Sequence, residues 1–285
     1  MVELKKIINE GEISQLFPEG EGGGLTGETH LVKHNNQKFV LRRCESISKA
    51  KYYEHLSEKF EKFGFLPKLI GRSGKNVLFE YIEGRDLKGK GERIKYIGEI
   101  GKILGIINKF KFESKTENLF CKQIRECVSG KYKPSLKVLI ARKRRKIRKK
   151  PKKVLTEKQA KSILKLFNKI KSKLKAKIVY ECTDPMPGNF RVRKNKIYLV
   201  DIESIKPRYK GLGVSKFLLE WGKDPLKKRK FIEGYEKSNS LKFFNKEYKK
   251  FIDLTFLIQR LHFQVQTGKD YDLTLEKINR FIKNG

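Results

Sequence analysis

Residues 182–189 read Cys-Thr-Asp-Pro-Met-Pro-Gly-Asn, and residues 199–203 read Leu-Val-Asp-Ile-Glu. The first run places an amide, Asn189, five residues after a carboxylate, Asp184, and the second places Asp201 at the end of a strand-like run. Phosphoryl transfer on magnesium needs a carboxylate that accepts the proton of an attacking hydroxyl, and amide and carboxylate oxygens that bind the metal. The spacing therefore predicts a catalytic Asp184 and a magnesium site at Asn189 and Asp201.

A glycine-rich segment near the N-terminus lies between two predicted strands. Residues 20–27 read Gly-Glu-Gly-Gly-Gly-Leu-Thr-Gly. A dinucleotide-binding loop with these glycines would lead into a helix, but residues 28–43 read as a β-hairpin that turns at Asn35 and Asn36. Glycines between two strands can instead fold over the phosphates of a nucleotide. The residues predicted to contact those phosphates are Gly22, Gly24, Thr26 and Gly27.

The second strand of this hairpin ends in two arginines. Arg42 is predicted to hold the α- and β-phosphates because its forked donors can serve two oxygens, and Arg43 is the competing candidate. The next segment, residues 48–63, has helical spacing. On it, Glu54 is predicted to pair with Arg42, with Glu58 as the rival acid.

Residues 76–81 read as a strand that runs into a glycine-containing connection. A strand of this kind, followed by a helix, is typical of a hinge between two lobes. The backbone groups of Glu80 and Ile82 are therefore predicted to hydrogen-bond adenine.

Composition indicates a folded, soluble chain. Of its 285 residues, 38% are hydrophobic and 19 are Phe, which argues against disorder. No apolar run approaches the roughly 20 residues of a membrane span, and the N-terminus lacks the apolar stretch of a secretion signal. The four cysteines lack CxxC spacing, so neither zinc nor a disulfide framework is indicated. We expect a cytoplasmic protein with reduced cysteines and no membrane partner.

The charge is large and unevenly distributed. The formal net charge is +36, of which residues 1–85 contribute only +2. A basic insert, residues 131–153, ends in ten cations within twelve residues, and a capping-box pattern then starts a helix with a lysine-rich face. Such a surface favours structured RNA as a partner. The residues predicted to bind it are Arg142, Lys143, Arg144, Arg145, Lys146, Arg148, Lys149, Lys150, Lys152, Lys153, Lys161, Lys165 and Lys169.

With these residues, the chain resembles the protein-kinase-like superfamily, nearest the aminoglycoside phosphotransferase and choline kinase branch and the atypical RIO-type kinases. The resemblance implies an α+β, two-lobed fold with a small β-rich N-lobe over residues 1–82 and a larger, mainly helical C-lobe over residues 83–285. It also implies an ATP- and Mg²⁺-dependent kinase, with GTP as an alternative donor. The family's usual His-Gly-Asp is replaced by Cys182-Thr183-Asp184.

The acceptor is the remaining question. A strongly cationic C-terminal part argues against cationic acceptors such as aminoglycosides and choline. The basic surface favours RNA, and the chain is similar to archaeal-type kinases that phosphorylate the ribose 2′-hydroxyl of a variable-loop uridine in the tRNA of thermophiles. The sequence therefore predicts a tRNA kinase. The alternatives are an atypical protein kinase associated with ribonucleoprotein, a small-molecule phosphotransferase of the aminoglycoside or choline type, and a non-catalytic RNA-binding pseudokinase.

Overall fold

The structure is a computed structural model. It describes residues 2–15, 29–87, 90–112, 119–132, 152–174, 176–221, 224–242 and 244–283. The glycine-rich segment and most of the basic insert lie outside these ranges, so nothing is concluded about their conformation.

A five-stranded antiparallel sheet forms most of the N-terminal part. Its strands are β1 (Glu12–Gln15), β2 (Thr29–His34), β3 (Gln37–Arg43), β4 (Leu69–Ser73) and β5 (Asn76–Glu80), in the spatial order β1, β2, β3, β5, β4. The predicted hairpin is confirmed: β2 and β3 pair directly, and both turn residues, Asn35 and Asn36, have positive φ angles of 47° and 58°. This left-handed backbone matches the twist of a two-residue hairpin.

Two helices accompany the sheet, α1 (Val2–Glu10) and α2 (Ile47–Phe60). Helix α2 begins after Ser46, whose hydroxyl accepts a hydrogen bond from the Lys49 amide at 3.2 Å. The helix buries Leu56 and Phe60 in the main core. It therefore stands where the spacing of apolar residues predicted a helix.

The C-terminal part is mainly helical. Its helices within the described ranges are α3 (Lys90–Ile107), α4 (Leu119–Ser129), α5 (Glu157–Leu174), α6 (Leu212–Trp221), α7 (Pro225–Glu236), α8 (Lys246–Gln266) and α9 (Asp272–Lys283). None of these described helices has the length and apolar character that a bilayer-spanning segment requires. The expected α+β architecture, β-rich first and helical afterwards, is confirmed, whereas the boundary after residue 82 stays a prediction.

Five short strands carry the segments that matter for function. They are β6 (Arg85–Asp86), β7 (Ile178–Cys182), β8 (Phe190–Arg193), β9 (Lys196–Leu199) and β10 (Ile205–Tyr209). Strands β6, β8 and β9 form one antiparallel sheet, and β7 pairs with β10. The loop between β7 and β8 contains Asp184, and the one between β9 and β10 contains Asp201.

Helix α5 has the capping box that its sequence predicted. The Thr156 amide donates to Gln159 Oε1 at 2.9 Å, and the Gln159 amide donates to Thr156 Oγ1 at 3.2 Å. The helix buries Ile163 and Phe167 in a second core that it shares with α4, α8 and α9. Phe167 stacks on Phe120 with ring centroids 3.8 Å apart.

Glycines bring helices α3 and α7 into close backbone contact. A Cβ atom added at Gly234 would lie 1.9 Å from the carbonyl oxygen of Gly98, and one at Gly101 would lie 2.2 Å from that of Phe231. Backbone atoms cannot move aside as the tip of a flexible side chain can. This contact therefore requires glycine on both helices.

We expect Gly234→Ala to lower the free energy of unfolding by about 3 kcal/mol, because inserting a methyl group into a packed contact forces the helices apart. Gly188→Ala is the matched control, since nothing lies within 4 Å of its added Cβ. Urea unfolding of both variants checks the prediction. Equal midpoints for the two variants would contradict it.

Candidate active site

The structure brings Asp184 and Asn189 together. The Asn189 side-chain amide donates to the Asp184 carboxylate oxygen Oδ2 at 2.9 Å and to the Asp184 backbone carbonyl at 2.8 Å. The short 3₁₀ turn Pro187–Asn189 closes the loop and makes this contact. Because the amide nitrogen is used on Asp184, the Asn189 carbonyl Oδ1 is left as an oxygen ligand.

Asp201 is tied to the same loop through the backbone. The Val200 amide donates to the Asn189 carbonyl at 3.0 Å, and the Thr183 amide donates to the Ser204 carbonyl at 2.8 Å. The Ser204 hydroxyl closes the turn on the Asp201 carbonyl at 2.7 Å. The two segments that the sequence singled out are therefore fixed to each other.

The oxygen atoms of this site suit Mg²⁺. Asp201 supplies a carboxylate and Asn189 an amide oxygen, and Mg²⁺ is commonly held by one or two such groups together with substrate phosphates. Within the described residues, no group of three or more His, Cys, Asp or Glu could enclose a metal without a substrate. The donor set thus fits a metal that arrives with a nucleotide.

Arg42 lies beside the predicted metal site. Its guanidinium is 3.6 Å from Asp201 Oδ1 and 3.9 Å from Glu203 Oε2, and it packs over the Tyr53 ring at 5.8 Å. Successive side chains of a strand point to opposite faces. Arg42 accordingly points towards the site and is half-buried, whereas Arg43 is exposed.

The prediction that Glu54 pairs with Arg42 is wrong. Glu54 pairs instead with Arg72 of β4, at 2.6 Å. Successive residues of an α-helix are separated by about 100° around its axis. Tyr53 therefore contacts Arg42, and Glu54 points to the neighbouring strand. Asp201 and Glu203 are the acids beside Arg42, and the Tyr53 hydroxyl donates to Glu203 at 3.4 Å.

The connection after β5 is held by the C-terminal part. Arg191 donates to the Ile82 carbonyl at 3.0 Å and to Asp86 at 3.0 Å. The Glu80 amide donates a hydrogen bond to the Lys68 carbonyl at 2.9 Å. Among the described residues, the Ile82 amide has no such partner, so it is the donor left for a base. Adenine binding at Glu80 and Ile82 stays a prediction.

The remaining predicted residues fall into two groups. Lys152, Lys153, Lys161, Lys165 and Lys169 are exposed, the last three on one face of α5. The others lie outside the described residues: Gly22, Gly24, Thr26, Gly27, Arg142, Lys143, Arg144, Arg145, Lys146, Arg148, Lys149 and Lys150. The strands flanking the glycine segment do pair, with Gln15 opposite His30, so this segment connects two neighbouring strands as the prediction requires.

Two further side chains, which the sequence did not predict, contact the candidate catalytic loop, residues 183–189. Lys216 of α6 places its ammonium 2.5 Å from Asp184 Oδ1. The Trp221 indole nitrogen, at the end of the same helix, lies 3.3 Å from the Met186 sulfur. The two residues are 32 and 35 positions along the chain from the residues that they contact, and neither belongs to a local pattern that would have predicted the contact.

A buried carboxyl, Glu181, anchors this helix to the strand before the loop. Glu181 accepts hydrogen bonds from the amides of Gly211 and Gly213, the latter at 2.9 Å, at the start of α6. Its side chain is inaccessible to solvent, and burial raises its pKa to about 8. The next residue, Cys182, is also buried, with its sulfur 3.5 Å from the Ser204 hydroxyl.

The raised pKa of Glu181 predicts a pH effect on stability. The ordinary value is 4.5, so the folded state binds the proton more tightly than the unfolded state does. The stability that this tighter proton binding contributes is complete below pH 4.5, and it is lost as the pH rises towards the folded-state pKa of about 8. We expect Glu181→Gln, which is neutral throughout, to lack this loss of a few kcal/mol.

Denaturant unfolding of both proteins at pH 5 and at pH 8 measures the effect. The expected result is that the wild type loses stability relative to Glu181→Gln as the pH rises. Parallel changes in the two proteins would contradict it.

Comparisons with known proteins identify the family of this chain. The chain matches the model of the family described as choline/ethanolamine kinase over residues 23–282. No curated protein has a sequence that matches it significantly.

Several solved structures share the fold. The choline kinase LicA from Streptococcus pneumoniae is 16% identical, with a TM-score of 0.65, over 99% of this chain and 100% of that one. An aminoglycoside phosphotransferase from Alicyclobacillus acidocaldarius is 13% identical, with a TM-score of 0.55, over 98% and 94%. Spectinomycin phosphotransferase APH(9)-Ia, in complex with ADP and spectinomycin, is 13% identical, with a TM-score of 0.56, over 96% and 88%.

The predicted two-lobed, kinase-like fold is confirmed by these structures, and the predicted choline kinase and aminoglycoside phosphotransferase branch is confirmed by the family match. These comparisons do not show the finer prediction, that the protein is a tRNA kinase. The chain belongs to the choline/ethanolamine kinase family and is an ATP-dependent phosphotransferase.

Proposed function

We propose that this protein transfers the γ-phosphate of ATP to the hydroxyl group of a small molecule, with amino alcohols of the choline and ethanolamine class as the first acceptors to test. The observation that carries the proposal is the Asp184–Asn189 pair tied to Asp201 in a chain whose family match spans residues 23–282. This replaces the tRNA acceptor as the leading interpretation.

Each residue has a chemical task in this reaction. The hydroxyl oxygen of the acceptor attacks the γ-phosphorus of ATP while Asp184 accepts the proton of that hydroxyl. Asn189 holds the Asp184 carboxylate in place. Asn189 Oδ1 and Asp201 would hold Mg²⁺, which when bound neutralises charge on the phosphates. Arg42 neutralises phosphate charge from the N-terminal side.

The surroundings of Trp221 support a cationic acceptor. The Lys227 ammonium lies 5.8 Å from the centroid of the indole ring, which shows that the ring accommodates a positive charge. Aromatic faces bind quaternary and primary ammonium groups in this way. Because the Trp221 indole nitrogen also lies 3.3 Å from the sulfur of Met186, two residues after Asp184, an ammonium group near this ring would lie beside the loop that contains Asp184.

RNA is the second candidate acceptor, and one specific observation favours it. Lys161, Lys165 and Lys169 form an exposed row on α5 in a chain of net charge +36. Such a row can bind a phosphate backbone, and the affinity would then fall steeply with salt. In this reading the acceptor is a ribose 2′-hydroxyl.

The test is an acceptor panel with γ-labelled ATP and Mg²⁺. Choline, ethanolamine, an aminoglycoside, tRNA and a basic protein are each incubated with the wild type, Trp221→Phe and Trp221→Ala. We expect label in a small alcohol, with the Michaelis constant for that alcohol raised in Trp221→Ala and restored in part by Trp221→Phe. Label in tRNA alone, or in protein alone, would overturn the proposal.

A further inference from the structure

A deep groove opens between helices α5, α8 and α9, next to α6. Its volume is about 750 Å³, which is in the range of sites for small organic ligands. Its lining does not include Arg42, Asp184, Asn189 or Asp201. The apolar side chains that line it are Leu166, Ile170, Leu219, Phe256, Leu257 and Phe281.

The charged groups of this groove are mainly cationic. Five basic residues line it, against two acids. The acid Asp253 is already engaged, because it accepts a hydrogen bond from Ser215 at 2.7 Å and pairs with Lys249. The basic residues are Lys169, Lys250, Arg260, Lys277 and Arg280.

Among the described residues, most of these cations form no ion pair. Arg280 pairs with Glu276. Within the described ranges, the other four, Lys169, Lys250, Arg260 and Lys277, make no ion pair. Unneutralised cations beside an apolar surface are a feature that an anionic ligand would complement.

Two of these cations, Arg260 and Lys277, are brought to the same level of the groove by the way α9 folds back on α8. The Thr274 hydroxyl donates to Gln264 Oε1 at 2.8 Å, which sets the register of the two helices. In this register Arg260 lies level with Lys277. Phe281 lies one turn further along, level with Leu257, so an apolar stretch continues directly from the paired cations.

We propose that this groove binds a single-chain anionic amphiphile, with its phosphate or carboxylate head at Arg260 and Lys277 and its alkyl chain along the apolar side chains. An RNA backbone would use the cations but leave the apolar side chains in water, whereas an alkyl chain would cover them. The site is independent of the acceptor proposed above.

Isothermal titration with dodecyl phosphate below its micelle concentration tests the proposal. Dodecyltrimethylammonium and dodecyl maltoside are the head-group controls, and methyl phosphate is the chain-length control. We expect one dodecyl phosphate to bind per chain, and none of the three controls to bind comparably. The double variant Arg260→Glu/Lys277→Glu is expected to weaken binding at least about tenfold.

Two single variants test whether dodecyl phosphate binds in this groove. Lys158→Glu changes an exposed lysine of α5 that is outside the groove and outside the row Lys161, Lys165 and Lys169, and this variant should bind as the wild type does. Leu219→Ser, at a side chain that is 44% exposed, should fold normally and bind dodecyl phosphate more weakly. Equal binding of the three dodecyl compounds, no binding of dodecyl phosphate, or binding only of a short RNA duplex in a manner abolished by the double variant would each overturn the proposal.

Discussion

Replacing Asp184 with asparagine is expected to lower the rate of phosphoryl transfer about 10³-fold, because the amide cannot accept the proton of the attacking hydroxyl. The substitution keeps the size of the side chain and one oxygen for the Lys216 contact, which is 2.5 Å in the wild type. It removes the carboxylate oxygen that accepts from Asn189, but the Asn189 amide keeps its hydrogen bond to the backbone carbonyl of residue 184. Binding of Mg–ATP should therefore change little. Turnover with a saturating acceptor, and calorimetric titration with Mg–ATP, measure the two quantities separately.

The matched control for this variant is Asp270→Asn. Asp270 is exposed, and its carboxylate oxygen accepts a hydrogen bond from the Asp272 amide, which asparagine can still do. It should leave turnover unchanged. Wild-type turnover in Asp184→Asn would show that another group removes the proton.

Replacing Asp201 with alanine is expected to affect both binding and chemistry. Loss of the carboxylate removes a metal ligand, and the charge stabilisation that a bound metal supplies is worth several kcal/mol, or about 10³-fold in rate or more. It also leaves Arg42 with Glu203 as its nearest acid, at 3.9 Å. Calorimetric titration with ATP should then lose most of its dependence on magnesium.

Glu203→Gln distinguishes the two carboxylates. Glu203 interacts with Arg42 and accepts a hydrogen bond from the Tyr53 hydroxyl, so we expect the magnesium dependence of ATP binding to persist in this variant. If Asp201→Ala keeps that dependence and Glu203→Gln loses it, the metal ligand has been misassigned.

Local patterns in the sequence were enough to predict three residues that the structure brings together at the candidate site. Asp184 and Asn189 lie on one short loop, and Asp201 follows the second strand after it, so the backbone itself places them together. The choice of Arg42 over Arg43 likewise follows from strand alternation once the strand is known.

Contacts between residues that are far apart in the sequence could not be predicted from local patterns. The partner of Glu54 depends on the rotation of α2 about its axis, and an error of one residue exchanges it with Tyr53. Lys216 and Trp221 contact the loop from α6, a helix whose start is bound by Glu181 of the preceding strand. A one-dimensional pattern does not specify how a helix docks.

Net charge, from which the tRNA acceptor was predicted, does not by itself specify an acceptor. A value of +36 describes the whole surface, whereas an acceptor meets only the few groups around Asp184. The Trp221 indole, which contacts Met186 two residues after Asp184, has the Lys227 ammonium 5.8 Å from its centroid. A cationic chain can therefore still provide a local site for a cationic alcohol.

The most direct test of the central claim is phosphorus NMR of a reaction that contains the wild-type protein, ATP, Mg²⁺ and choline or ethanolamine. The account predicts that the γ-phosphate signal is replaced by that of a phosphomonoester of the alcohol, in step with ADP formation, and that Asp184→Asn produces neither. Conversion of ATP to ADP and inorganic phosphate alone, or phosphate on RNA with none on any small alcohol, would contradict it.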